Sequence, residues 1–150
     1  MFLQKRRLIV LIFFSVASIF FYGSAYAETT IFDVDSFYDG QKRNKVSASL
    51  RYEGQNALFY VSDQDWNILS IRDRSNFLVD VASLSKEFDE VIYPRTRALF
   101  GSENKPGIDD NPKIFIVFSQ LTDDVGGYFR EQDGFLRSIA LDSNEREMVF

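Results

Sequence analysis

The sequence has 22 acidic residues, 17 basic ones, no histidine and no cysteine. Those two absences set the limits on chemistry. Without histidine there is no Ser-His-Asp or Cys-His arrangement and no ordinary general base near neutral pH. Without either residue the usual zinc ligands are missing. What remains is carboxylate chemistry. Asp109-Asp110-Asn111 and Asp123-Asp124 offer oxygen ligands of the kind calcium takes. Their spacing lacks the alternation and the closing glutamate of a calcium loop, and turn-forming carboxylates account for them equally. A carboxylate pair can hydrolyse a glycoside, but no spacing singles out one pair among 22. The residues thus name no catalytic group and no metal ligand.

The elements that would position any such group follow from hydropathy patterning. Val46, Ala48, Leu50 and Tyr52 alternate with Ser47, Ser49 and Arg51, the period of a half-buried strand. Glu53-Gly54-Gln55-Asn56 makes a turn, and Ala57 to Val61 returns as the second strand of a hairpin. Ser62 or Asp63 caps a short helix through Leu69, with Trp66 inward. A longer helix is expected from about Ser75 to Ile92, with Phe77, Val81, Leu84, Phe88 and Val91 on one face. Pro94 suits the first turn of a brief continuation to Phe100, and Gly101 suits a left-handed stop. Ile114 to Phe118 is an uninterrupted run of β-formers, expected as a central strand apolar on both faces. Short strands are expected at Tyr128-Phe129, Ile139 to Leu141 and Glu145 to Phe150. The order predicts an α+β domain with helices packed on a mixed sheet.

The first 27 residues have a different character. Lys5-Arg6-Arg7 precedes an apolar run from Leu8 to Tyr22, and Gly23-Ser24-Ala25-Tyr26-Ala27 follows. This is the pattern of a cleavable signal peptide, with Ala25 and Ala27 at the positions a signal peptidase inspects. The apolar run is shorter than the roughly 20 residues a membrane span needs. Membrane contact is therefore expected only during export, and the product is expected to begin at Glu28 in a secreted or periplasmic location. The leader takes three basic residues and no acidic ones, so residues 28–150 keep 14 basic and 22 acidic residues, a charge of −8. Such a surface repels nucleic-acid phosphates. The expected organisation is a signal peptide at 1–27, a loosely ordered lead-in at 28–45, and one α+β unit at 46–150.

Four segments, in order, carry a resemblance to a known family. They are Lys86-Glu-Phe-Asp-Glu-Val-Ile-Tyr-Pro94, then Leu99-Phe-Gly-Ser102 with Pro106-Gly-Ile-Asp-Asp-Asn-Pro-Lys-Ile114, then Val125-Gly-Gly-Tyr-Phe129, and Ser143-Asn-Glu-Arg-Glu-Met148. Together they resemble the first half of the catalytic domain of secreted bacterial zinc metallopeptidases of the hyicolysin type, which are zincins, and more distantly the immune-inhibitor-A group. The similarity covers about residues 58–150. In that family a helix bearing His-Glu-Phe-Gln-His follows the Ser-Asn-Glu-Arg-Glu-Met strand, its histidines hold zinc, and its glutamate polarises the attacking water. The chain stops at Phe150, before such a helix, so the resemblance carries no zinc ligand and no catalytic glutamate onto any position here. Glu145 and Glu147 belong to the strand motif. The resemblance implies a partial zincin-like fold, zinc only in the full-length family, and an extended peptide or protein as the substrate of a full-length parent. It also implies a role for Gly126, Gly127, Tyr128 and Phe129 as the edge strand that pairs with substrate. A bulge or tight turn before a strand explains the same four residues without a substrate. The expectation is an exported fragment of a metallopeptidase that is inactive alone, with Ile114–Phe118 short of cover. The alternative is an independent exported binding protein that reuses the half-fold.

Overall fold

The computed structural model describes residues 28–150; the signal segment, with Ala25 and Ala27, lies outside the described residues. Five strands form one mixed sheet in the order β1-β2-β3-β4-β5. They are β1 (Thr29–Asp33), β2 (Lys45–Glu53), β3 (Ala57–Ser62), β4 (Ile114–Phe118) and β5 (Met148–Val149). The first three run antiparallel to their neighbours, while β3, β4 and β5 are parallel. Parallel neighbours need a crossover, and the helices supply it between β3 and β4. The chain is therefore α+β with helices on a mixed sheet, as its patterning predicts.

The hairpin β2–β3 is where alternation placed it. Gly54 donates its N–H to Ala57 C=O at 2.8 Å. The Asp89 carboxylate receives the N–H groups of Gln55 and Asn56, both at 2.9 Å, and so ties the turn to the helix above it. Gly54 is required by that approach: an added Cβ would lie 2.3 Å from Ser85 Oγ. All six residues of β3 are buried, which marks it as the centre of the sheet.

Helix α1 (Asp63–Ile68) starts at Ser62, whose hydroxyl accepts from Asp65 N–H. Helix α2 (Ile71–Glu87) begins earlier than its apolar stripe suggests. Ser70 accepts from Asp73 N–H at 3.1 Å and donates to Asp73 Oδ2 at 2.6 Å, a reciprocal cap that adds a turn. The helix then widens into a π segment over Phe88–Ile92, where Tyr93 N–H reaches back to Phe88 C=O, and resumes as α3 (Tyr93–Phe100). Pro94 is the physical reason. It has no N–H to give and its ring crowds the preceding turn, and the wider turn accommodates both. Gly101, at φ 86°, ends the helix as expected.

Three expectations need correction. The lead-in at 28–45 is not loose: Thr29–Asp33 pairs with β2 along its length, and the buried Asp39 forms an ion pair with Arg43. Ile139 to Leu141 is a turn rather than a strand. Ile139 and Ala140 N–H both bond Leu136 C=O, which leaves Ile139 and Leu141 exposed. Ser143 to Glu147 precedes β5 as irregular chain, with Glu145 at φ 54°, so only the end of that motif is strand.

The sheet separates two apolar clusters. On one face Phe32, Val46, Tyr60, Phe115, Val117, Met148 and Phe150 pack under the loops of residues 119–147. On the other, Ala57, Phe59 and Val81 meet Phe77, Phe88, Ile116 and Phe118 beneath α2. Among the described residues no helix is long and apolar enough to cross a membrane.

Candidate functional site

Beyond β5 the chain adds one more extended piece. Tyr128 N–H donates to Phe150 C=O at 2.9 Å, and Phe150 N–H donates to Tyr128 C=O at 2.9 Å. Two reciprocal bonds define an antiparallel hydrogen-bonded pair. In such a pairing the flanking residues turn their backbone groups the other way. Gly127 and Phe129 accordingly face outward, and no hydrogen bond among the described residues uses their N–H or C=O. Gly126, Gly127 and Phe129 are exposed, Phe129 at 73%. Residues 126–129 thus form a short free edge, antiparallel to the last strand of the sheet.

Glycine is required at the second of these positions. Gly127 has φ 156°, and a Cβ there would sit 3.0 Å from Phe150 C=O. A side chain would strain the backbone and push the segment off β5. Gly126 has open space around it, so its absence of a side chain leaves the edge bare without being forced by packing.

A buried polar clasp holds this edge in place. Arg130, next in the chain, donates to Asp33 C=O at 2.5 Å and to Asp142 C=O and Oδ2, both at 2.7 Å. Asn144 donates its Nδ2 to Asp33 C=O at 2.8 Å and to Asp133 Oδ1 at 2.9 Å, while its Oδ1 accepts Asp33 N–H at 2.8 Å. Asp133 Oδ1 also accepts Asn144 N–H at 3.0 Å. The end of β1 is thereby fastened to the loop after the edge. Asp133 is 1% exposed, and its Oδ2 has no hydrogen-bond partner; Arg130 Nε stands 3.8 Å away. Burial raises its carboxyl above the ordinary range, against the lowering effect of Asn144 and Arg130. These five residues carry no periodicity and lie up to 111 positions apart, so patterning does not announce them.

The remaining sequence candidates are turn formers. Asp109 Oδ1 accepts Asn111 N–H at 2.9 Å, and Asn111 Oδ1 accepts Lys113 N–H at 3.0 Å. Asp123 and Asp124 are exposed at a turn. The structure does not bring the two acidic runs together: among the described residues no group of three or more candidate ligand residues could hold a metal ion. Glu145 accepts Arg137 N–H at 2.7 Å, and Glu147 lies against Gly107 with its carboxyl raised by burial. The donor set, oxygen only, does not fit a zinc centre.

No family model matches this chain, and no curated protein matches its sequence.

Proposed function

We propose that residues 28–150 bind extended peptides by strand addition at Gly126–Phe129, as the substrate-side part of a domain related to secreted zinc metallopeptidases. The observation that supports this is the Tyr128–Phe150 pair, which turns the Gly127 and Phe129 backbone groups outward on an exposed edge. An added strand satisfies those groups and extends the sheet by one. In this reading the described residues bind and orient a peptide, and its cleavage belongs to the full-length family. Metal chemistry belongs to the full-length family and is assigned to no residue here. The exported location follows from the leader.

The test is a titration of the isotopically labelled protein with short extended peptides. Amide shifts at Gly127 and Phe129, with the peptide recovered intact and no zinc retained after dialysis, support the proposal. Peptide cleavage that a chelator blocks, or binding that leaves both amides unmoved, overturns it.

The second reading, an independent exported binding protein on the same half-fold, shares this edge. It is favoured by the loop face, which residues 28–150 close by themselves: Phe115 is 4% exposed and Val117 1%. A sharp cooperative melt of residues 28–150 as a monomer, without dye binding, supports it; a molten or aggregated product favours the fragment.

A further inference from the structure

We infer that Tyr38 restricts the Gly127–Phe129 edge to peptides with a small side chain opposite Tyr128. This inference rests on the strand-addition proposal above.

Tyr128 is the inward residue of the edge, and its ring has two faces. Phe150, its cross-strand partner, stacks on one, with centroids 4.8 Å apart and planes 11° apart. Tyr38 lies at the same 4.8 Å, tilted 30°. Two rings cannot share one face at that distance without overlapping, so Tyr38 lies against the other. That second face points away from β5, toward the place where an added strand would run. In an antiparallel sheet, directly opposed side chains on one face lie about 4.5–5.5 Å apart at Cβ. Tyr38 therefore fills the volume that the side chain of a peptide residue opposite Tyr128 would need.

Tyr38 is not free to swing away. Its C=O accepts Thr122 N–H at 2.8 Å, and its N–H donates to Asp35 C=O at 3.0 Å. The next residue, Asp39, forms a bridge with Leu121 and is itself buried. Its carboxylate accepts the N–H groups of Gln41 and Arg43, both at 2.9 Å, and the Arg43 guanidinium at 2.7 Å. Gly40 N–H donates to Gln120 C=O at 2.9 Å, and a Cβ on Gly40 would fall 2.9 Å from Leu121 C=O. The Tyr128 hydroxyl in turn accepts Asp35 N–H at 3.2 Å. The loop is pinned on both sides of Tyr38, which makes the ring a fixed wall. The opposite face of the edge has no such wall: Gly127 and Phe129, whose positions alternate with Tyr128, are both exposed. A bound peptide thus meets a crowded side and an open side.

Two hexapeptides with terminal lysines test this independently of register. One alternates Ala and Leu, and can always turn its alanines toward Tyr38. The other is Leu throughout, and cannot. Overpacking of this kind costs about 1–3 kcal/mol, so wild-type protein is expected to prefer the alternating peptide by about 5- to 150-fold. Y38A is expected to bring the two within about threefold, and Y38F to keep the preference. Affinities are read by fluorescence anisotropy, with Gly127 and Phe129 amide shifts as the site marker. Equal affinities in the wild type with both amides shifting overturn the inference and leave strand addition standing; this measurement needs no variant. A preference unchanged in Y38A also overturns it. If neither peptide moves those amides, strand addition itself fails, and the inference with it.

Discussion

The two faces of the sheet are closed by different means. The loop face buries Phe115 and Val117 fully under irregular chain, and that chain is held by long-range polar bonds among Asp33, Arg130, Asp133 and Asn144. The helix face relies on α2, which packs over β2 and β3 through Phe77, Val81 and Ser85. There Ile114, Ile116 and Phe118 are only part-buried and Val149 is 39% exposed. An open cleft of about 360 Å³ lies between Val61, Ile68, Leu69, Phe77 and Phe118. The alternation of β4 makes the contrast internal to one strand, because its odd and even residues sample the two environments. A loop cover is expensive in polar groups but conforms to any contour. A helix cover satisfies its own backbone yet protects only the width it spans.

The sharpest test of that contrast uses one residue type on both faces. Phe115→Ala removes a buried ring that stacks on Tyr60 at 5.6 Å, and should cost about 3–5 kcal/mol. Phe118→Ala removes a part-buried ring, and should cost roughly half as much, about 1.5–2.5 kcal/mol. Urea melts of the two variants compare them directly. Equal losses would show that the helix face is as well covered as the loop face.

Removing the clasp should come next in size. Asn144→Ala leaves Asp33 N–H and part of Asp133 Oδ1 without partners in a buried setting, at about 1–3 kcal/mol for each orphaned group. A total loss of about 2–4 kcal/mol is expected. Amide exchange should quicken at Tyr128 and Phe150 before it does in α2. A loss confined to residues 143–147 would separate the clasp from the edge.

What was legible in the sequence follows the same division. The hairpin, α1 with its Ser62 cap, Phe77 and Val81 of the α2 stripe, the Gly101 stop and β4 are all written in local spacing, whereas Leu84 of the expected stripe is exposed and Ser85 is buried instead. Each was recoverable because period and cap chemistry act within a few residues. β1 was missed because Thr29–Asp33 has only Ile31 and Phe32 to mark it, and its stability comes from a partner strand 12 to 20 positions on. Ile139 to Leu141 misled in the other direction: apolar composition suggested a strand, while bonds to Leu136 made a turn. The edge was legible as a Gly-Gly step before aromatics, but its pairing was not. The clasp and Tyr38 were invisible, since each depends on residues brought together by the curl of the sheet.

The carboxylates of the loop side provide a pH test of smaller amplitude, in which two groups oppose each other. Burial pushes the Asp39 carboxyl up, but the bonds from Arg43 and the Gln41 N–H outweigh it, and the net effect is below its ordinary value of 3.8. A lowered folded pKa contributes stability above 3.8 that is lost as pH falls through the folded value. For Asp133 the shift is upward, chiefly by burial, so its contribution declines as pH rises from 3.8 through its raised value and is constant above that. Asp39→Asn should therefore be less stable than wild type at pH 7, with the gap closing on acidification. Asp133→Asn lacks a group that resists ionisation, and should gain on the wild type as pH rises above 3.8. Urea midpoints at pH 3, 4, 5, 6 and 7 read both; parallel profiles for the two variants would contradict the opposed shifts.

The smallest effect is expected on the helix side, at an exposed cap. Ser70 and Asp73 satisfy each other and the first turn of α2 through bonds of 2.6 and 3.1 Å. Ser70→Ala deletes the hydroxyl that accepts Asp73 N–H, which in comparable caps costs about 1 kcal/mol. That N–H is exposed to water, so no buried group is orphaned and the loss stays near this value. Its location matters more than its size. Helix α2 meets the sheet at Phe77, Val81 and Ser85, so fraying at Ser70 should open amides from Ile71 to about Phe77. The loop face should be untouched, because its cover is bound to β1 and β5 and not to α2. Hydrogen exchange on Ser70→Ala can separate the two. Faster exchange limited to the start of α2 would show two faces of separate local stability. Faster exchange at Tyr128 and Phe150 as well would show that the sheet transmits the loss, and that helix and clasp open as one unit.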